Sequence, residues 1–294
     1  MAETILVCGA TGKTGSACAR ALAAAGGVRV KVLARDTAKA AALGSLANVE
    51  VVQGDFGDKT SLQGAMAGVS KVFLCCANVP EQTTHECNVI DAAKEAQVKY
   101  LVKVSTCAEL VYPSSPAAYG GWHHAIQRHL DNSGLKYTIL YPTYFMDNML
   151  GFFAGVKAGA PVATSFRPED RVSMVSTEDV GKMGAALLLL PDADTRTRHG
   201  SYKVTGPAAV ALPAVAGFIG EVAGRPVEYK NLTLEEEGAM MRGFGIPEEV
   251  CAALRVIFET CRSQSYVTGD FEYVTGSKGE SVQEFLARNK AVFV

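Results

Sequence analysis

Ile5-Leu6-Val7-Cys8-Gly9-Ala10-Thr11-Gly12-Lys13-Thr14-Gly15, near the start of the chain, sets an apolar run before three glycines at three-residue spacing. The run reads as a buried parallel strand, and an alanine-rich helix over Ser16–Ala25 follows. This order turns the backbone sharply and lets it approach a pyrophosphate. It also aims helix N–H groups and the positive end of the dipole at the phosphates. A nucleotide cofactor is therefore expected. Gly12-Lys13-Thr14 also imitates the end of a phosphate-loop NTPase motif, but that motif needs a glycine where Val7 stands. With Gly9 only three residues before Gly12, the loop is too short to wrap a β-phosphate. A glycine turn with a purely structural role is the other alternative.

The 294 residues are 48% hydrophobic and carry 28 Lys+Arg against 30 Asp+Glu. That is enough for one large domain, or for a domain and a smaller lobe. Near-neutral charge without a basic run argues against nucleic acid as a partner. The longest strongly apolar run, Ala185–Leu190, ends at Pro191 and is far too short to span a bilayer. Met1-Ala2-Glu3-Thr4 passes straight into the first strand, so no signal peptide and a cytoplasmic location are expected. The eight cysteines include no C-x-x-C pair and read as small core hydrophobes in a reducing compartment. Adjacent Cys75 and Cys76 read alternatively as redox-responsive. His123, His124 and His129 lack metal-ligand spacing, so no metal site is expected.

Short apolar runs then alternate with helical patterns. Val28–Ala34, Val49–Gln53, Lys71–Cys75, Tyr100–Val104 and Tyr137–Tyr141 read as strands two to six, with helices such as Glu81–Ala96 and His123–Ser133 between them. The alternation predicts an α/β protein with a doubly wound parallel sheet, a Rossmann arrangement, over residues 1–150. Residues 151–294 read as a mixed α/β substrate lobe, some of whose strands return to the main sheet. Within it, Thr177-Glu178-Asp179-Val180 caps a helix running to Leu190, and short strands are expected near Tyr202–Val204 and Val227–Tyr229.

Ligands of such sheets bind beyond the C-terminal strand ends, so the residues just after each strand are the candidates. With Gly9, Thr11, Gly12, Lys13, Thr14 and Gly15 holding phosphates, Arg35 follows strand two where a ribose 2′-substituent would lie. Its planar fork suits the 2′-phosphate of NADP, with Lys13 and Lys39 adding charge, whereas Asp36 keeps an NAD reading open. Asp55 and Phe56 follow strand three, where they meet an adenine or, alternatively, Asp55 caps a helix. Cys76, Ala77 and Asn78 follow strand four, and Ser105 strand five. Pro142, Thr143, Tyr144 and Phe145 follow strand six, placed to hold a carboxamide end.

These landmarks resemble the NmrA-like family of atypical short-chain dehydrogenases/reductases. The likeness rests on Gly9–Gly15, Leu33-Ala34-Arg35-Asp36, Gly54-Asp55-Phe56 and Trp122-His123-His124-Ala125-Ile126-Gln127, where Gln127 replaces a usual glutamate. Pro142–Asn148, Ser176–Val180, Val204-Thr205-Gly206-Pro207, Gly224-Arg225-Pro226-Val227 and Val274-Thr275-Gly276 continue it over nearly the full length. The resemblance implies one of two things. Some members are NADPH-dependent reductases of quinones, imines, azo compounds or triarylmethane dyes. Others bind NADP(H) without turnover and act as redox-responsive partners of regulatory proteins.

Ordinary short-chain dehydrogenases use a Tyr-x-x-x-Lys pair, in which the lysine holds the nicotinamide ribose and lowers the tyrosine pKa. Tyr119-Gly120-Gly121-Trp122-His123 has that spacing, with histidine in place of lysine. The two glycines argue against a helical Tyr119, while His123 is expected to contact the ribose or relay a proton. Tyr119, His123 and Ser105 are thus the catalytic candidates. The sequence reading is an NADP(H)-dependent oxidoreductase, NADP(H) favoured over NAD(H). It would deliver hydride to a C=N, C=O or quinone-like small apolar substrate. The alternative is a non-catalytic NADP(H) sensor with a protein partner.

Overall fold

Apolar runs too short for helices and rich in branched residues become the strands of a parallel sheet, buried on both faces at its centre and half-exposed at its Val49–Gln53 edge. The computed structural model describes residues 2–197, 200–246, 248–262 and 264–294, so Met1 lies outside the described residues. The first strands are β1 (Thr4–Cys8), β2 (Arg29–Ala34), β3 (Val49–Gln53), β4 (Lys71–Leu74), β5 (Tyr100–Val104) and β6 (Tyr137–Pro142). Later come β7 (Tyr144–Phe145), β8 (Val162–Thr164), β9 (Arg171–Val175), β10 (Gly200–Val204), β11 (Ala209–Ala211) and β12 (Tyr229–Asn231).

Between the early strands lie α1 (Lys13–Ala25), α2 (Ala41–Gly44), α3 (Lys59–Met66), α4 (Gln82–Glu95) and α5 (Ala118–Asp131). After them follow α6 (Asn148–Phe152), α7 (Thr177–Leu189), α8 (Leu212–Ala223) and α9 (Leu234–Gly243). The last helices are α10 (Glu248–Arg262), α11 (Asp270–Thr275) and α12 (Val282–Arg288). Among the described residues no helix is long and apolar enough to cross a membrane.

The main sheet is all parallel, in the order β10-β6-β5-β4-β1-β2-β3. Strand order reverses between β1 and β4, which opens a crevice beyond their carboxyl ends. Helices α1 and α7 cover one face, where Leu22, Val180 and Leu187 pack with Phe73. Helices α3, α4 and α5 cover the other, where Leu62, Val89 and Ile126 pack with Leu6 and Leu101. Strands β11-β9-β7, the β12-β8 pair and helices α8, α9, α10 and α12 form a smaller lobe with its own core around Tyr144, Phe166 and Phe258. The 151–294 segment is not confined to that lobe, because β10 joins the main sheet beside β6 and α7 packs on α1.

Three boundaries differ from the sequence expectation. Helix α1 begins at Lys13, not Ser16, because Gly12 itself is the N-cap. Tyr119 is helical despite its two glycines. A Cβ at Gly120 would sit 2.1 Å from the Leu110 carbonyl oxygen, so glycine is what lets the first turn of α5 pack on the preceding turn. Close approach here outweighs the roughly 1 kcal/mol propensity cost. The strand expected at Val227–Tyr229 forms two residues later, as β12 pairs with β8 from Tyr229. Helix α7 is capped by Ser176, whose hydroxyl accepts from Asp179 N–H at 3.1 Å.

Gly181 brings α7 against the first turns of α1. A Cβ there would lie 2.6 Å from both Ala17 Cβ and the Thr14 carbonyl oxygen. Gly181→Ala should therefore cost about 1–3 kcal/mol by overpacking, exceeding alanine's helix gain of about 1 kcal/mol. Equilibrium denaturation measures this, and an unchanged or raised midpoint would contradict the packing.

Candidate functional site

The glycine run is shaped by what surrounds it. Gly9 has φ +77°, and a Cβ on it would lie 2.2 Å from the Cys75 carbonyl oxygen just past β4. A Cβ on Gly15 would lie 2.2 Å from the Gly9 carbonyl oxygen, so α1 leaves β1 at a distance only glycine allows. Gly12 N–H donates to Gly9 O at 3.0 Å, closing the turn. No side chain caps α1, so the N–H groups of its first turn face the crevice without a protein acceptor from the cap residue.

A cavity of about 470 Å³ opens over this helix end. Gly9, Thr11, Gly12, Lys13, Thr14 and Gly15 form its floor, with Arg35 after β2, Asp55 and Phe56 after β3, and Cys76 and Ala77 after β4. Lys13 Nζ also pairs with Asp147 at 3.3 Å, which ties the glycine loop to the start of α6. The Asp36 carboxylate caps its own turn by accepting from Ala38 N–H at 3.0 Å. Lys39, expected to add charge, is exposed on that turn and lies outside both cavities of the site. Asp55 does not cap a helix: its Oδ1 accepts from Gly57 N–H at 2.7 Å, and Asp58 caps α3. His85, which sequence reasoning missed, lines the same cavity edge-on to Phe56, with ring centroids 6.3 Å apart.

A second cavity of about 410 Å³ shares Thr14, Cys75, Cys76 and Ala77 with the first, so the two form one continuous cleft. Asn78, Ser105, Tyr119, His123, Pro142, Thr143, Tyr144 and Phe145 all line it. Helix α10 closes the far wall with Leu254, Ile257 and Cys261, a contribution invisible in the early motifs. Among the described residues, no Lys, Arg, Asp or Glu lines it. The expected partition between loop, sheet edge and lobe is therefore gathered into a charged end and an uncharged end.

The groups at the uncharged end hold their protons or lack them for reasons of burial. Burial pushes the Tyr119 phenol well above its ordinary value, with Cys107 and Cys261 adding to the effect. Among the described residues no lysine lowers it, unlike the Tyr-x-x-x-Lys arrangement. Cys75 and Cys76 are each pushed up to about 12, chiefly by burial and then by Glu86, so both are thiols at neutral pH. The redox-responsive reading of this pair therefore lacks a thiolate. Ser105 Oγ accepts from Gln127 Nε2 at 3.3 Å.

His123 corrects the expectation of a near-neutral titrating group. It is 3% exposed, and burial followed by the Lys103 charge holds it well below the ordinary histidine range. Lys103 Nζ lies 2.9 Å from His123 Nδ1 and 2.9 Å from Glu86 Oε2, with both charged side chains fully buried. Gln82 Nε2 donates to Glu86 Oε1 at 2.8 Å. The sequence reading missed this cluster, although it left a signal. Lys103 interrupts an otherwise apolar strand, and Gln82 and Glu86 are four apart on one helix face.

The NmrA-like family model matches residues 1–290. An NAD(P)H azoreductase of Xenophilus azovorans is 32% identical over 292 residues, covering 98% of this chain and 99% of that protein. A (4-alkanoyl-5-oxo-2,5-dihydrofuran-3-yl)methyl phosphate reductase of Streptomyces griseus is 34% identical over 294 residues, covering 98% and 99%. Among solved structures, the Citrobacter sp. triphenylmethane reductase complexed with NADP(H) superposes with a TM-score of 0.83. It is 22% identical and covers 98% of this chain and 99% of its own. That likeness shows a shared fold.

The state of His123 has a thermodynamic signature. Its folded-state pKa is depressed, so below about 6.5 the unfolded chain binds a proton that the folded chain refuses. Stability should therefore fall as pH drops from about 6.5 toward the depressed folded value, and His123→Asn should flatten that slope. Denaturant unfolding of both chains between pH 7.5 and 5 measures it; parallel slopes would contradict a buried neutral imidazole.

Proposed function

The chain belongs to the NmrA-like family, and from that premise we propose that it is an NADP(H)-dependent reductase of flat, uncharged acceptors. The carrying observation is the continuity of the glycine cradle with a cavity that no charged side chain lines. The cradle fits a dinucleotide on its own terms: Cβ atoms at Gly9 and Gly15 would meet backbone at 2.2 Å, and the end of α1 has no side-chain cap. Arg35, beside a carboxylate already engaged as a cap, favours a 2′-phosphate over a free ribose hydroxyl.

When bound there, the dinucleotide supplies a hydride. Around it the chain orients and dries the reacting groups. Pro142, Thr143, Tyr144 and Phe145 sit where the nicotinamide end would rest, with Thr143 pinned by its N–H on Val204 O at 3.1 Å. Leu254 and Ile257 offer an apolar wall to a conjugated C=N, C=O or quinone-like acceptor. A phosphate-bearing acceptor, like that in the Streptomyces relative's name, would find no cation in this wall. Of the two reductase relatives, the azo-type chemistry suits this cavity better. The thiols lining it, held protonated, are poor nucleophiles toward an electrophilic acceptor.

Two measurements test this reading. NADPH oxidation followed by absorbance should proceed with quinones or azo dyes and not with anionic phosphate esters. Saturable NADP+ binding with no oxidation by any neutral acceptor would move the assignment to a cofactor-sensing protein. Arg35→Ala should weaken NADPH binding by about 10-fold or more through loss of a charge-assisted contact, with little change for NADH. Equal losses for both would contradict the 2′-phosphate assignment.

A further inference from the structure

Lys103 is a fully buried cation near the end of β5, beside Val104 and His123, which both line the uncharged cavity. Its Nζ forms an ion pair with Glu86 Oε2 at 2.9 Å, hydrogen-bonds to Val104 O at 3.1 Å and lies 2.9 Å from His123 Nδ1. An ammonium paired with a carboxylate has N–H groups and no lone pair, so it can only donate to the ring. The contact therefore assigns the imidazole: Nδ1 accepts from Lys103, and a neutral ring then carries its proton on Nε2.

That Nε2–H has no acceptor on the protein among the described residues. Gln82 Nε2, itself a donor, lies 3.3 Å from the ring Nε2 and 3.5 Å from Nδ1. Rotating the amide would place its oxygen 2.8 Å from the Glu86 carboxylate, oxygen against oxygen, so Glu86 fixes the amide with nitrogen inward. Gln82 Oε1 is correspondingly left buried and without a partner. A buried unsatisfied donor costs free energy that a protein rarely tolerates without a use. His123 lines the cavity in which the acceptor would sit.

We propose that Glu86, Lys103 and His123 form a buried relay that presents one imidazole N–H to the substrate cavity and refills it from behind. Lys103 and Glu86 are positioning residues, and His123 is the group that touches the acceptor. The inference rests on the reductase reading for its chemistry. As hydride forms the new C–H bond, the Nε2–H bond breaks and the acceptor oxygen or nitrogen gains that proton. At the same time an Nζ–H bond breaks and an Nδ1–H bond forms, leaving a neutral lysine amine beside Glu86. The imidazole stays neutral throughout and ends as its other tautomer. This accommodates a histidine too buried to charge, since no imidazolium is needed at any stage. Proton uptake through the cavity after product departure restores the starting state.

The test uses the full chain. Long-range ¹H–¹⁵N correlation spectra at pH 7, with His123 assigned by its loss in His123→Asn, should show Nδ1 unprotonated and Nε2 protonated. A ring protonated on Nδ1, or on both nitrogens, overturns the proposal whether or not any acceptor is reduced, which separates its failure from that of the reductase reading. Lys103→Met/Glu86→Leu removes the ion pair together, avoiding a lone buried charge. This variant should release His123 from the fixed tautomer and lower kcat by roughly 10²-fold with NADPH affinity unchanged. A matching fall in NADPH affinity, or an unchanged kcat, would reduce the cluster to a structural ion pair and refute the relay.

Discussion

Two contacts at the first crossover govern the rest of the molecule: the Cys75 carbonyl fills the space of a Gly9 side chain, and the Gly9 carbonyl that of a Gly15 side chain. They bring the ends of β1, β4 and α1 together more closely than any other residue type would allow. The consequence reaches both cavities, because Cys75, Cys76 and Ala77 belong to the wall of each. Helix α7, seated on α1 through Gly181, holds that helix from the outside. The smaller lobe then needs only to lay α10 across the open end. The charged end and the uncharged end of the cleft both follow from one set of backbone contacts.

Against this backbone frame the buried polar side chains divide by purpose. Lys71, nearly as buried as Lys103, donates to Leu188 O at 3.1 Å and Leu190 O at 3.0 Å and thereby finishes the end of α7. Those carbonyls would otherwise be orphaned at a helix terminus, so a structural role accounts for it. The half-buried Glu109 likewise gathers Lys203 of β10 with Tyr266 and Gln264, tying the turn after β5 to β10 and to the segment that follows α10. Lys103 caps nothing of this kind. Its principal partners are another buried charge and a ring at the cavity wall. A buried ion pair contributes little net stability because desolvation offsets the attraction, so its placement is better explained by what it does to His123.

Much of this was legible in the chain. The alternation of branched apolar runs with helical patterns predicted the doubly wound sheet, and each of the first six strands lies within a residue or two of where its run placed it. Gly9, Gly12 and Gly15 announced the tight turn between β1 and α1 because their spacing encodes a backbone requirement. Long-range packing hid the rest. Nothing local to Tyr119 shows that Leu110 would approach Gly120 and rescue the helix. Lys39 was expected to add positive charge beside Lys13, which needs the fold to bring it near, whereas the turn capped by Asp36 leaves it exposed and outside the lining of both cavities. His123 was visible as a residue of interest, but its state depends on Lys103, twenty positions earlier, and on Glu86 from another helix.

The proposed function requires a diphosphate to rest on the main-chain amides that open α1. Titrating the isotope-labelled protein with NADP+ and following backbone amide resonances interrogates those groups directly. The account predicts saturable shifts confined to Gly12 through Ser16 and the segment just past β4, reproduced by inorganic pyrophosphate at higher concentration for the α1 amides alone. Resonances of that turn left unmoved at saturating NADP+ would contradict it.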